Sequence, residues 1–441
     1  MTVYSPLRII CKAFVFNALS SVTMGFVLLG GVFFNPSGSS ARAQQVSPQL
    51  RQTFLSDPLT AKDRDPLLPV LPLQRPLSPL ELSALDQALD QLDQTAQQLL
   101  AAGQKDDAFA LWLREVRLRR VFGPVEEFNE IQRLALLAWN QQRPIEVQLL
   151  TLRTREIWAA VKMSLGLDTA AEFAEKPVEE DAPALRLPEQ TVSAVALLEA
   201  IAQTFTTLRD IESAVEVSQQ LIDLTKADGG NPTAQQVNLA ELHLDWFRFA
   251  QAADVYLDLL KTARAAQAQP QEVFYLERLV YSYQEADSLA NAVRAQTDLL
   301  TLYQAQGEAE KLPELLVALA QNYQTLNLPK PAIEYYRSAY SAAQRFEQFS
   351  FSAQVLKDLG ALYQSLALFD DALGAYTLLI PVEQQAYNNY GVMNAYDAIG
   401  QIHKRQGNDF EALKAFEQAL VIANQLNLRE NYFIEQIESV T

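Results

Sequence analysis

The clearest feature of this sequence is a pattern of apolar residues with helical spacing, which runs from Leu80 to the end of the chain. Near the end, one set of such residues is Tyr396, Ile399 and His403, and the next is Ala412, Phe416 and Ala419. Members of each set are three or four residues apart, so each set lies on one face of an α-helix. Gly407 stands between the two sets and favours a turn. The pattern therefore predicts a hairpin of two antiparallel helices.

The same template recurs upstream at intervals close to 40 residues. Its paired positions on the first helix are Leu359-Gly360, Leu319-Ala320, Leu279-Val280, Leu239-Ala240 and Ile201-Ala202 in successive copies. Its small residue on the second helix is Ala372, Ala332, Ala292, Ala252 and Ala214 in the same copies. Two weaker copies precede these, around Leu92 and Ile131. The spacing thus predicts six good hairpins and two degenerate ones.

These residues resemble the tetratricopeptide-repeat (TPR) family, whose first helix carries a Leu-Gly pair followed by an aromatic residue. The last two copies match best, with Leu359-Gly360 in one and Ile399-Gly400 in the other. The usual repeat of the family has about 34 residues, and this one is longer. The resemblance implies an all-α fold, a right-handed α-solenoid of antiparallel helix hairpins (a TPR superhelix). It also implies a groove, lined by the first helices, that binds protein or peptide.

The first 43 residues have the pattern of an export signal. Arg8 and Lys12 precede an apolar run of 22 residues from Ala13 to Phe34, and Ala41-Arg42-Ala43 has the form of a cleavage site. We therefore expect a signal peptide at 1–43 and export to the periplasm or an equivalent lumen. The alternative is an uncleaved membrane anchor, because such a run can span a hydrocarbon core of about 30 Å. Under that alternative this segment is the chain's contact with the membrane.

Composition divides the rest of the chain. Residues 44–80 hold seven prolines, and since proline lacks an N–H and fixes φ, we predict a Pro-rich disordered linker there. The period fails at 166–190, where prolines accompany an acidic run, and we predict an acidic insertion or hinge. The remaining predicted parts are degenerate N-terminal hairpins at 81–165, a main array of six repeats at 191–425 and a C-terminal capping helix at 426–441.

Acidic residues outnumber basic ones. The chain has 53 Asp and Glu against 35 Lys and Arg, and its formal net charge is −18. A chain of this charge repels a phosphate backbone, so nucleic acid is excluded as a partner. Its one cysteine, Cys11, lies in the predicted signal peptide. The mature chain would therefore have no thiol for a disulfide or a metal site.

The sequence holds no combination of residues typical of catalysis. Its two histidines, His243 and His403, take the position that tyrosines take in sister copies, which predicts packing rather than metal binding or proton transfer. Phosphate-binding loops, dinucleotide fingerprints and metalloprotease motifs are missing from the sequence. We therefore predict a protein that is not an enzyme and that needs no cofactor and no metal.

The candidate site is the groove that the resemblance assigns to the first helices. Its predicted partner-binding residues are Glu199, Gln203, Glu241, Glu277, Tyr281, Gln284, Gln321, Gln324, Lys357, Gln364, Gln401, Lys404 and Arg405. Glutamine both donates and accepts hydrogen bonds, so a row of glutamines can pair with an extended peptide backbone. A second interpretation is that these glutamines only solvate an exposed face. The basic clamp with which some family members grip a C-terminal carboxylate is missing, since Lys357 is followed one turn later by Ala361.

The sequence as a whole favours an exported scaffold or assembly factor that binds a protein or an extended peptide in its groove. Two alternatives remain open. One is a structural component that forms an oligomer, and the other is an accessory subunit of an envelope complex. The sequence leaves the identity of the partner, the pathway and the oligomeric state undetermined.

Overall fold

All regular structure is helical in the part of the chain that the computed structural model describes, residues 46–61, 64–69, 77–167 and 193–441. The predicted all-α class is therefore confirmed for these residues. The predicted signal peptide at 1–43 lies outside them, as does most of the insertion predicted at 166–190. No helix within the described ranges is both long enough and apolar enough to cross a membrane.

Eighteen α-helices follow one another along the described residues. They are α1 (Pro48–Leu55), α2 (Pro79–Ala101), α3 (Lys105–Arg119), α4 (Pro124–Asn140), α5 (Pro144–Leu165), α6 (Ala194–Leu208), α7 (Ile211–Ala227), α8 (Thr233–Asp245), α9 (Phe249–Ala265), α10 (Gln269–Glu285), α11 (Leu289–Gln306), α12 (Leu312–Thr325), α13 (Pro329–Arg345), α14 (Phe349–Ser365), α15 (Phe369–Gln385), α16 (Asn389–Arg405), α17 (Asp409–Leu426) and α18 (Glu430–Glu438). Short 3₁₀ turns at Arg120–Phe122 and Ala309–Lys311 precede α4 and α12.

Helices α2 to α17 pair in chain order into eight hairpins, and neighbouring hairpins pack against each other. The second helices recur at a constant interval from α9 onward. They begin at Phe249, Leu289, Pro329, Phe369 and Asp409, which are 40 residues apart. This regularity brings equivalent side chains together in each copy, as expected of a helical repeat solenoid.

A residue in the left-handed conformation ends the first helix of a hairpin, and in most copies it is not glycine. In the turn between α12 and α13, Asn327 has a φ of 57°. Its N–H donates to the carbonyl of Gln324 at 2.9 Å, and the N–H of Leu328 donates to the carbonyl of Tyr323 at 2.9 Å. These two bonds form a Schellman motif, which satisfies the last carbonyls of the helix. The equivalent residues are Phe247, Asp287, Ala367 and Gly407, all with positive φ.

Inside a hairpin, a small residue on the first helix accommodates a large residue on the second. A Cβ atom added to Gly360 would lie 2.8 Å from the ring of Tyr376, and one added to Gly400 would lie 2.5 Å from the ring of Phe416. Both distances are shorter than van der Waals contact. Glycine is therefore required at these two positions because the opposing ring occupies the space of a methyl group.

Other copies divide the same space differently. The glycine position is held by Val280 in α10, and the aromatic position is held by Gln296 in α11. Gln296 is fully buried, and its Oε1 accepts a hydrogen bond from Nδ2 of Asn322 at 2.9 Å. A larger residue on one helix is thus matched by a smaller one on its partner.

The prediction of a disordered linker at 44–80 is wrong wherever the structure describes that segment. Pro48 begins α1, where its missing N–H costs no hydrogen bond. Phe54 is buried, and the guanidinium of Arg120 lies over its ring, 5.0 Å from the centroid. Arg117 and Arg120 donate to the main-chain oxygen of Ser56 at 3.2 and 3.3 Å. We call residues 46–61 and 64–69 the N-terminal strap.

The second part of the strap is also attached to the array. Asp65 forms two hydrogen bonds with Arg114, each of 2.7 Å. Leu68 is buried in a cluster with Leu89 and Leu118. The proline count indicates where continuous helix is impossible, but the apolar side chains between the prolines decide whether the segment is buried.

The hairpins on the two sides of residues 168–192 stack directly on each other. The indole N–H of Trp139 in α4 donates to the carbonyl of Thr207 in α6 at 3.1 Å. Nε2 of Gln132 donates to Oγ1 of Thr204 at 2.9 Å. Apolar residues of α4, α6 and α7 share one core.

The tail predicted to cap the last hairpin contains α18. Phe433 is fully buried in a cluster with Met393 and Phe416. The hydroxyl of Tyr432 donates to Asp397 at 3.0 Å, and Arg429 forms an ion pair with the same carboxylate at 2.8 Å. Helix α18 therefore covers apolar residues at the end of the array.

Candidate partner-binding groove

A cavity of about 510 Å³ lies between α12, α13 and α14. It is lined by Gln321, Gln324, Thr325, Tyr336, Asp358 and Ala361. Gln321 and Gln324 belong to the predicted groove, and Ala361 occupies the position equivalent to Gln321 in the next copy, 40 residues later. The structure therefore places these groove positions of neighbouring copies around one space.

The cavity is built from the ends of first helices and one side chain of a second helix. Gln321, Gln324 and Thr325 occupy the last turns of α12 and are exposed. Tyr336 reaches in from α13, where its ring is buried, and its hydroxyl donates to Oε1 of Gln324 at 3.2 Å. Ala361, on α14, leaves room because its side chain is a single methyl group. The wall is thus polar towards solvent and aromatic at its base.

Asp358 is a residue of the cavity wall that the sequence did not predict. This half-buried residue of α14 accepts a hydrogen bond from Nε2 of Gln354 at 2.7 Å. Burial raises the pKa of its carboxyl, while the Gln354 hydrogen bond and the charge of Lys357 oppose that shift. Sister copies have Arg278, Ala318 and Ala398 at the equivalent position, so no periodic signal distinguishes Asp358 in the sequence.

Groove residues of the two copies before the cavity make contacts of their own. Arg278 forms an ion pair with Glu241 at 3.1 Å, and Glu241 also accepts a hydrogen bond from the hydroxyl of Tyr256. Glu277 accepts from the hydroxyl of Tyr303 at 2.6 Å, and Nζ of Lys311 lies 4.0 Å from its carboxylate. These carboxylates are therefore partly neutralised within the chain.

Further predicted groove residues differ in their access to a ligand. The ring of exposed Tyr281 packs edge-on against Phe249, with 6.1 Å between centroids. The exposed positions are Glu199, Gln203, Gln284, Lys357 and Arg405. Gln364 is half-buried. The cavity wall includes none of these residues.

The C-terminal end of the predicted groove is occupied by the chain itself. Nε2 of Gln401 donates to the hydroxyl of Tyr432 at 3.0 Å and to Gln436 at 3.1 Å. Nζ of Lys404 donates to Gln436 at 3.2 Å and to Ser439 at 2.6 Å. Gln401 and Lys404 thus bind α18 and the residue that follows it, and a ligand at these positions would compete with those contacts.

Of the two histidines, His243 is buried and His403 is half-buried. Burial lowers the pKa of His243, and the neighbouring charge of Arg248 adds to the shift. A lowered pKa keeps this imidazole neutral at physiological pH. The described residues contain no group of three or more His, Cys, Asp or Glu side chains that could hold a metal ion.

One family model, described as tetratricopeptide repeat, matches residues 313–346, which cover α12 and α13. No curated protein matches the sequence. Among solved structures, BtubC (BKLC) from P. vanneervenii is similar, with 21% identity, a TM-score of 0.34 and coverage of 50% of this chain and 90% of that one.

Two further solved structures are similar over longer parts of the chain. Aspartyl phosphate phosphatase F from Bacillus subtilis has 15% identity and a TM-score of 0.34, with coverage of 70% of this chain and 78% of that one. A signal transduction ATPase with a tetratricopeptide-repeat sensor, from Pyrococcus horikoshii, has 12% identity and a TM-score of 0.37. Coverage is 75% of this chain and 49% of that one. We infer neither function nor partner from similarities at this level.

Proposed function

We propose that this chain, a member of the tetratricopeptide-repeat family, is a scaffold that holds an extended segment of a partner protein in the groove of its first helices. The observation that carries the proposal is the cavity between α12 and α14, which opens beside exposed amides. The side chains of Gln284 and Gln321 make no hydrogen bond within the described residues. They are therefore available to pair with the N–H and C=O groups of a bound backbone.

We further propose that the scaffold acts outside the cytoplasm, in a periplasm or an equivalent lumen. The support is the sequence pattern of residues 1–43, which combines a basic start, an apolar run and a small-x-small triplet. The alternative is that this segment stays in place as a membrane anchor. In both cases the array lies outside the cytoplasm.

Photo-crosslinking tests both proposals in one experiment. A photoreactive amino acid is placed at Gln321 or Gln284 in the groove, and at Gln418 as the control, an exposed glutamine of the second helix α17. We expect the two groove positions to give an adduct with the partner and the control to give none. The adduct should be released with the periplasmic or luminal fraction, or should remain with the membrane if the anchor is retained.

Other outcomes have different meanings. Equal yields at the groove and control positions would contradict groove binding. An adduct with the mass of two copies of this chain would favour the alternative of a structural, self-assembling component. A cytoplasmic adduct would contradict export and leave the groove assignment intact.

A further inference from the structure

The cavity wall contains a carboxylate, that of Asp358, which makes no ion pair within the part of the chain that the structure describes. Asp358 is half-buried in its wall and is hydrogen-bonded by Gln354 of the preceding helical turn. Asp358 forms no ion pair among the described residues, whereas Glu241 and Asp397 of other copies are paired with Arg278 and Arg429. A carboxylate that has lost part of its hydration is stabilised by a cation that replaces the lost water.

Two tyrosines from second helices lie close enough to Asp358 to respond to its charge. Burial raises the pKa of Tyr376 to about 12, and the Asp358 charge adds to the shift. The pKa of Tyr336 is raised by the same two causes in the same order. Both rings are buried, and Tyr336 is part of the cavity wall. The carboxylate therefore shares the cavity wall with the side chain of Tyr336 as well as with amides.

The carboxylate and the amides of the cavity wall together favour a positively charged ligand. A guanidinium or ammonium group gains from a charge-assisted hydrogen bond to a partly desolvated carboxylate. The amide oxygens of Gln321 and Gln324 can accept from the remaining N–H groups of such a cation. An anionic side chain would meet Asp358 and a chain of formal charge −18.

We propose that this cavity binds a lysine or arginine side chain of the partner segment, with Asp358 as its ion-pair acceptor. The inference rests on the proposed function, because it requires a partner segment in the groove. It adds a specificity that the glutamine rows alone do not provide. Glutamines pair with any peptide backbone, but the Asp358 cavity favours a segment that places one basic residue between α12 and α14.

The test begins with a phage library of random dodecapeptides selected on the full-length chain. We expect groove-bound peptides to share one Arg or Lys position. A synthetic peptide with arginine at that position is then compared with the same peptide carrying citrulline, which has a similar shape and no charge. Asp358→Asn should weaken the arginine peptide about tenfold and change the citrulline peptide by less than about twofold.

Asp370→Asn is the matched control, since Asp370 is an exposed acid in the first turn of α15 and lies outside the cavity wall. It should leave both peptides unchanged. Gln321→Arg distinguishes the two proposals, because it places a bulky cation at the rim of the cavity. Suppose that the selected peptides bind the Gln321→Arg variant more weakly than the unmodified chain but share no basic residue. That result would overturn the Asp358 inference and leave groove binding intact. The inference would also be overturned if Asp358→Asn reduced the affinity for the arginine peptide and for the citrulline peptide by the same factor.

Two results would contradict groove binding itself. One is that no peptide is selected. The other is that every selected peptide binds the Gln321→Arg variant with the same affinity as the unmodified chain. Circular dichroism of the Asp358→Asn chain should match that of the unmodified chain, because asparagine has nearly the same shape and can still accept the bond from Gln354. The citrulline comparison uses the unmodified chain and tests the inference without this variant. Equal affinity for arginine and citrulline on the unmodified chain would overturn it.

Discussion

At the scale of single residues, the packing of each hairpin depends on a small residue of the first helix lying opposite a large side chain of the second helix. Gly400 and Phe416 form the tightest such pair, since a methyl group on Gly400 would come within 2.5 Å of the ring. Phe416 is fully buried, so its ring is packed against other core side chains. The steric requirement therefore lies in the contact between helices and not in the backbone conformation of the glycine.

We expect Gly400→Ala to destabilise the protein by about 1–3 kcal/mol, because overpacking a filled core forces side chains or backbone to shift. Gly374→Ala is the control, since an added Cβ at that helical glycine meets no atom within 4 Å. It should stabilise the protein by about 0.4–1 kcal/mol, because alanine restricts the unfolded chain. Thermal unfolding followed by circular dichroism measures both, and equal losses in the two variants would contradict the steric explanation.

The sequence correctly predicted the packing of residues that recur at the same position of each repeat. The recurring alanines at Ala252, Ala292, Ala332, Ala372 and Ala412 are all buried. Asp358 was missed because its role depends on how deeply it lies in one cavity. An alignment of the repeat copies shows equivalent positions but not the depth of a cavity. The contacts of Gln401 and Lys404 with α18 were missed for a related reason. Helical position identifies the face on which a side chain lies, but not which other segment reaches that face.

At the scale of elements, the N-terminal strap shows how a proline-rich segment can be part of a fold. The last carbonyls of α1 are capped by Arg117 and Arg120 from the first hairpin and from the 3₁₀ turn after it. Basic groups at this end also interact favourably with the helix dipole. A short helix of eight residues is thereby attached at its C-terminal end, by these polar contacts and by the buried side chain of Phe54 in its last turn.

We expect Phe54→Ala to detach α1 from the array, since truncating a buried phenylalanine costs about 3–5 kcal/mol and α1 has no other buried residue. Leu50→Ala is the control in the same helix, because Leu50 is exposed. Hydrogen exchange should accelerate in α1 in the Phe54 variant and remain unchanged in the Leu50 variant. Unchanged exchange in both would show that the polar contacts of Ser56 and Asp65 alone hold the strap.

Elements of the repeating region were accessible from sequence because each hairpin carries its own apolar pattern and turn. The fold of the N-terminal strap could not be predicted from the sequence, since the strap has a single short helix and no sister copy with which to compare it. Its burial depends on contacts between residues far apart in the chain, such as Asp65 with Arg114. Periodicity contains no information about such contacts.

At the scale of the whole molecule, pH acts on stability through buried carboxyls. Burial raises the pKa of Glu115 to about 7, with the charge of Glu130 adding to the shift and that of Arg133 opposing it. The folded protein therefore binds this proton more tightly than the unfolded chain, whose carboxyl has a pKa near 4.5. The corresponding stabilisation is complete below about pH 4.5 and is lost as the pH rises through about 7. Burial shifts the pKa of Glu156 and Glu383 in the same direction.

We expect the thermal midpoint of the unmodified chain to fall more steeply between about pH 5 and about pH 8 than that of Glu115→Gln, which has no proton to lose. Glu126→Gln is the control, because Glu126 is exposed in the first turn of α4. Its pH dependence should equal that of the unmodified chain. Parallel curves for all three proteins would contradict the role of Glu115.

The paired volumes inside the hairpins also determine which pieces of such a chain can be exchanged during evolution. A crossover that joined α10 to α15 would set Val280 against Tyr376, although Tyr376 fits only because glycine stands opposite it. A crossover in the turn after a second helix would transfer both members of each pair together. Duplication, deletion and shuffling should therefore conserve whole hairpins, so that the heritable module of this protein is two helices and not one.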